Sequence, residues 1–92
     1  MTKRDYSDPV YKAARLQVLK RDKRKCQMPG CKCRKKLNVH HIERWADAAW
    51  LRYEVFNMIT LCKKCHDSIN GKESFFIGLF KEIVSKNERR KK

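Results

Sequence analysis

The sequence predicts a small α+β domain, two short strands framed by helices and stapled by zinc. Three observations predict it. Ninety-two residues suit one domain over residues 1–92, with a core over about 10–85 and a basic tail over 86–92. A chain of that size buries a limited share of its surface and commonly leans on a metal or a partner. Two short-spaced cysteine pairs, Cys26-x4-Cys31 and Cys62-x2-Cys65, bracket its middle. Stretches of apolar alternation lie between the pairs, and stretches of helical spacing lie outside them.

The elements follow in order. Ser7-Asp8-Pro9 places a capping side chain before a proline, the start signal of a helix. Residues 10–22 then set Val10, Ala13, Ala14, Leu16, Val18 and Leu19 roughly on one side. The helix runs into a dense basic cluster over residues 20–25, which is either a solvated helix end or a phosphate-binding segment. Pro29-Gly30 makes residues 26–33 a turn region. Residues 37–42 alternate as a strand, with Leu37, Val39 and His41 on one face and Asn38, His40 and Ile42 on the other. Residues 44–52 lack breakers and are expected to hold a short helix in a long loop. Residues 55–61 read as a second strand, and 65–70 as a short helix stopped by Asn70-Gly71. Over 73–86, Phe75, Phe76, Leu79, Phe80, Ile83 and Val84 recur at three and four, the pattern of a core-packing helix. The tail beyond it is expected to fray.

Charge narrows the partners. Lys and Arg number 24 against 10 Asp and Glu, a formal net charge of +14. Four zinc-bound thiolates and their ion would leave about +12. Such an excess points to a polyanion, first of all nucleic acid, because neutralised phosphates release counterions. No apolar stretch opens the chain, and residues 75–80 are far too short to span a bilayer, so neither a secretory signal nor a membrane span is expected. The expected partner is DNA and no membrane, with a ribosomal or anionic-membrane partner as the plain alternative. Five cysteines, an odd count, suit metal-bound thiolates in a reducing compartment better than a disulfide framework.

Zinc is commonly held in a tetrahedron by two thiolates from each of two turns. Cys26, Cys31, Cys62 and Cys65 match that plan, leaving Cys33 as a spare thiol; iron also suits four thiolates. Reduced, buried cysteines are the plain alternative. Four closed positions make this a structural ion rather than a catalytic one.

All three histidines fall in the same framework. His40 and His41 are adjacent in Leu37-Asn38-Val39-His40-His41-Ile42, and His66 follows Cys65 directly. Hydrolysis of a phosphodiester needs a base for the attacking water and a cation for the phosphoryl and leaving oxygens. A neutral imidazole is a base near neutral pH, and imidazoles hold divalent ions. Because strand neighbours point to opposite faces, one histidine of the pair can serve a metal and the other a water. His66, fixed by Cys65, can reach that metal from the opposite wall.

Together, Cys26-Gln27-Met28-Pro29-Gly30-Cys31, Val39-His40-His41-Ile42, Asn57-Met58-Ile59-Thr60-Leu61 and Cys62-Lys63-Lys64-Cys65-His66 resemble the HNH endonucleases, the ββα-metal or treble-clef nucleases. The small phage-encoded members are the most similar. The resemblance implies a treble-clef core of a two-stranded antiparallel hairpin and a helix, with flanking N- and C-terminal helices. It implies His40 and His66 as ligands of a catalytic divalent metal (Mg2+, Mn2+, Ni2+ or Zn2+) and His41 as the general base. Asn57 resembles the residue that holds the loop and orients the base. Cys26, Cys31, Cys62 and Cys65 resemble the structural zinc site of many members. Two positions depart from the family: Glu43-Arg44-Trp45 replaces the usual Pro- and Gly-containing loop, and Met58 stands where Gly often follows the middle Asn.

The expected activity is therefore metal-dependent DNA cleavage, nicking or double-stranded, by a monomer or weak dimer in the cytoplasm of a bacterial host. Phage DNA processing with packaging proteins is the implied setting. Expected phosphate contacts are Lys20, Arg21, Lys23, Arg24 and Lys25, then Arg34, Lys35 and Lys36, with Arg44 beyond the histidine pair. Arg52 and the tail extend that footprint, and Trp45 and Trp50 either touch DNA or pack inside. The alternative function is a non-catalytic zinc-stapled nucleic-acid-binding module, which explains cysteines and charge but not the histidine set. A toxin-type nuclease finds no translocation or receptor segment in support.

Overall fold

A computed structural model describes residues 8–43 and 53–90. The elements are α1 (Pro9–Arg21), β1 (Leu37–His41), a 3-10 turn (Val55–Asn57), β2 (Met58–Cys62), α2 (Lys63–Ser68) and α3 (Glu73–Arg90). The two strands pair antiparallel, from Leu37 opposite Cys62 to His41 opposite Met58. The α+β class and the hairpin-and-helix core are as the sequence predicts. The short helix expected over 44–52 lies outside the described residues, as do Ser7, Arg44, Trp45, Trp50 and Arg52. Among the described residues, no helix is long and apolar enough to cross a membrane.

Asp8 starts α1: its carboxylate accepts from the Val10 N–H at 2.8 Å, and Pro9 needs no such partner. The stripe that α1 buries is Tyr11, Ala14, Val18, Leu19 and Arg21. Val10 and Leu16, expected inside, are more than half exposed. The buried stripe runs through Tyr11 and Arg21, so counting aliphatic residues alone aimed the helix wrongly. After Asp22 the chain turns through Lys23 and Arg24, both in the left-handed region.

The core has two parts. Ala14, Val18 and Met58 pack α1 on β2, with Val39 and Val55 against them. Ile42, Ile59, Leu61, Ile69, Phe80 and Val84 gather with Cys26 and Cys62 on the other face of the hairpin. Leu37, expected on the face of Val39, packs instead with the cysteines, because it ends the hairpin opposite Cys62. Phe80 and Val84 anchor α3, but Phe75 is 83% exposed and Leu79 39%. Their place on the amphipathic face marks its solvent edge.

Two further differences have clear causes. Residues 55–57 are not strand. The Asn57 N–H bonds back to the Glu54 carbonyl while its own carbonyl accepts from Ile42 N–H at 2.7 Å, which bends the chain before β2 begins. The tail does not fray at residue 86, since α3 runs to Arg90. Glu88 accepts from Arg21 at 3.1 Å, and Asn87 donates to Asp22 at 2.9 Å, holding those last turns on the body.

Arg21 and Asp22 tie three elements together. Their side chains are 1% and 0% exposed and paired at 2.8 Å. Arg21 also donates to the carbonyls of Val55 and Met58, and Asp22 accepts from the Thr60 N–H. Burial of two charges is tolerable because nearly every polar atom is satisfied, and removing one partner strands the other. Arg21→Ala should destabilise the fold by about 3–5 kcal/mol in urea denaturation. A loss below about 1 kcal/mol, the range of a surface pair, would contradict that account.

Candidate active site and metal centre

The turn after α1 carries the first two cysteines. Cys31 N–H donates to the Met28 carbonyl, Gly30 supplies a φ of 85°, and Cys26 N–H donates to the Cys33 carbonyl. Gln27 N–H then docks this turn on the Thr60 carbonyl of β2. The other two cysteines sit where β2 becomes α2. All four sulfurs lie within 4.8 Å of one another. Cys31 and Cys62 sulfurs are 3.9 Å apart, against about 3.8 Å for an edge of a tetrahedron with 2.3 Å metal–sulfur bonds. The Cys65 backbone N–H lowers the Cys62 thiol to about 7, with the neighbouring thiols acting the same way against burial. Burial raises the Cys26 and Cys65 thiols. Four thiols gathered this closely suit a cation that replaces their protons, and the cluster can hold a structural metal such as zinc. Cys33 is exposed and stands apart, its thiol toward the Lys35 carbonyl.

The histidines are divided by the strand. His40 faces the α3 side, its ring centre 5.7 Å from Phe80 and 5.4 Å from His66. Two imidazoles sharing one ion place their ring centres roughly 5 Å apart, given metal–nitrogen bonds of about 2.1 Å. His41 faces the other way, its ring stacked at 6.3 Å on Tyr11 of α1. Both are buried, at 8% and 6% exposure. His66 is half-buried on α2.

Asn57 acts on the backbone just beyond the pair. Its Oδ1 accepts from the Glu43 N–H at 2.9 Å and its Nδ2 donates to the Glu43 carbonyl at 3.3 Å. With Ile42 N–H on the Asn57 carbonyl, the segment leaving His41 is held at three points. Glu43 is tethered further by an ion pair to Lys81 of α3 at 3.1 Å.

A family model for HNH endonuclease matches residues 26–72, just over half of the chain. The chain belongs to the HNH endonuclease family. No curated protein and no solved structure matches it. The HNH segment takes in both cysteine pairs, all three histidines and Asn57, while α1 and α3 lie outside it.

The basic residues expected to meet phosphate fare differently. Lys20, Lys23, Arg24, Arg34, Lys35 and Lys36 are exposed, and Lys25 is half-buried. Arg34 donates to the Lys23 carbonyl at 3.0 Å, so two basic runs separate in sequence form one surface. Arg21 is a correction: its guanidinium is enclosed by Asp22, Glu88 and two carbonyls and does not reach solvent. Arg44 lies outside the described residues. Sequence reasoning missed Tyr11, whose only signal is its spacing of three and seven from Ala14 and Val18.

The cysteine variants divide into two expected outcomes. Protein purified without chelator should carry a thiolate-bound metal. Cys26→Ser and Cys65→Ser should lose it and melt at lower temperature, while Cys33→Ser keeps both metal and melting point. Elemental analysis beside thermal denaturation reads this, and full metal content in Cys26→Ser would contradict the four-cysteine assignment.

Proposed function

We propose that this HNH family member is a metal-dependent DNA endonuclease that hydrolyses phosphodiester bonds. The observation that carries the reading is the edge-to-face pairing of His40 with His66 at 5.4 Å, with His41 turned to the opposite side of the same strand. His40 and His66 hold a catalytic divalent cation such as Mg2+, Mn2+, Ni2+ or Zn2+. When bound, that cation supplies charge stabilisation for the phosphoryl and departing oxygens. His41 accepts the proton of the attacking water, for which a neutral imidazole is suited. Asn57 fixes the Glu43 backbone and so the direction in which His41 leaves the strand. Cys26, Cys31, Cys62 and Cys65 hold a structural zinc that fixes the start of α2 and with it His66.

The substrate assignment rests on charge. Lys20, Lys23, Arg24, Lys25, Arg34, Lys35 and Lys36 offer a phosphate-binding surface on a chain of net charge +14. One active site cuts one strand per visit, so nicking is the elementary event and double-strand cutting takes two. The resemblance to small phage-encoded members supports a role in phage DNA processing inside the host cell.

A plasmid relaxation assay tests the function. Zinc-loaded protein should nick supercoiled DNA only with an added divalent ion. His41→Ala should slow nicking by at least about 100-fold, the usual share of a general base, with DNA affinity unchanged. Retained DNA binding with no cleavage by the parent protein, whatever the ion, would instead favour a zinc-stapled binding module.

A further inference from the structure

A cleft of about 620 Å³ separates α1 from β1 and α2. One wall is Tyr11, Lys12, Arg15 and Leu16; the other brings in Val39 and His66. Its volume falls in the range of sites that hold a ligand of nucleotide size. Two features of its walls bear on what it holds. First, the α1 wall touches the candidate base, because Tyr11 stacks on His41, while the opposite wall contains His66, the neighbour of His40. The cleft thus runs between His66 and the Tyr11 ring that covers His41, with His40 and His41 themselves set behind its walls. Second, its charge is of one sign. Lys12 and Arg15 are three residues apart on one helix face. Among the described residues, no carboxylate lines the cleft or pairs with either of them. This contrasts with Arg21 farther along the same helix, whose charge Asp22 and Glu88 neutralise.

We propose that this cleft seats the nucleic-acid strand, with Lys12 and Arg15 gripping a backbone phosphate beside His66. The proposal rests on the nuclease reading for its substrate and adds a contact that the HNH segment does not contain, since residues 12 and 15 precede it. An arginine and a lysine divide such work naturally. The guanidinium fork holds two phosphate oxygens in a fixed plane, and the ammonium adds a mobile point charge. Tyr11, between them and His41, keeps the gripping helix in register with the base. Lys20, Lys23 and Lys25 line a separate cavity. Lys20 stands about 12 Å farther along the helix than Lys12, at 1.5 Å per residue. One helix therefore presents two phosphate stations, of which the Lys12–Arg15 station adjoins the chemistry.

The test uses the zinc-loaded full chain carrying Lys12→Gln with Arg15→Gln. Binding to a fluorescent DNA duplex is measured across salt concentrations with no divalent ion added. The dependence of log affinity on log salt should become shallower by about 0.9 for each phosphate that the variant no longer neutralises. At saturating protein with the best divalent ion, single-turnover cleavage should slow at least about tenfold, the cost of a misplaced reacting group. Lys72→Gln, which does not line the cleft, should leave the saturated rate unchanged. Arg15→Lys should retain the salt dependence. An unchanged salt dependence in the double variant would overturn the proposal, as would a shallower one with an unchanged saturated rate. If the parent protein binds but never cuts, the nuclease reading fails on its own. The salt dependence then still decides whether the cleft holds a strand.

Discussion

The register of the β1–β2 pairing is the constraint on which the site depends. Side chains alternate along a strand, so a slip by one residue would exchange the surroundings of His40 and His41. In the observed register His40 stands opposite Ile59 and turns toward Phe80 and His66, while His41 stands opposite Met58 and turns toward Tyr11. The hairpin is pinned at both ends. At one end Asn57 clamps Glu43 and Ile42. At the other, Lys63 N–H bonds to the Lys36 carbonyl, and Leu37 packs into the cysteine cluster opposite Cys62. The Asn57 clamp and the Lys63–Lys36 bond both lie outside the strands' own ladder, which is too short to specify its pairing unaided.

Stability and function draw on the same small set of residues. Cys26 and Cys62 are both sulfur donors and members of the larger core, so a cation held there would tie the first turn to the start of α2 from inside the hydrophobic cluster. The Arg21–Asp22 pair plays the matching part on the other side, joining α1 to β2 and to the end of α3. With these two ties, a chain of 92 residues holds α1 against the hairpin firmly enough to form one wall of a cleft. The surplus positive charge is left on the outside, where it repels itself unless a polyanion is present.

Much of this was legible in the sequence, and the exceptions have physical reasons. The two strands, both cysteine pairs and the opposite orientation of His40 and His41 follow from spacing alone, while the pairing of the strands as a hairpin follows from the family resemblance. Asn57 was recognisable only from the family pattern; its clamp on Glu43 depends on a contact across fourteen residues. Arg21 sat within a basic run and read as a surface charge. Its burial depends on Glu88, 67 residues away, and on two carbonyls that no local pattern announces. The same contacts explain why α3 extends through a tail that looked frayed. Tyr11 was hidden because an aromatic residue beside exposed Val10 and Lys12 carries no motif, and only the fold sets its ring on His41.

The central claim is that His40 and His66 share one ion, distinct from any ion held by the cysteines. Titrating the zinc-loaded protein with Co2+ and following its visible spectrum tests it most directly. The account predicts one further cobalt site with absorption typical of nitrogen and oxygen ligands and no sulfur-to-cobalt charge transfer. That site should be lost in His40→Ala and equally in His66→Ala. Cobalt binding that survives both substitutions, or that occurs only by displacing zinc from the thiolates, would contradict it.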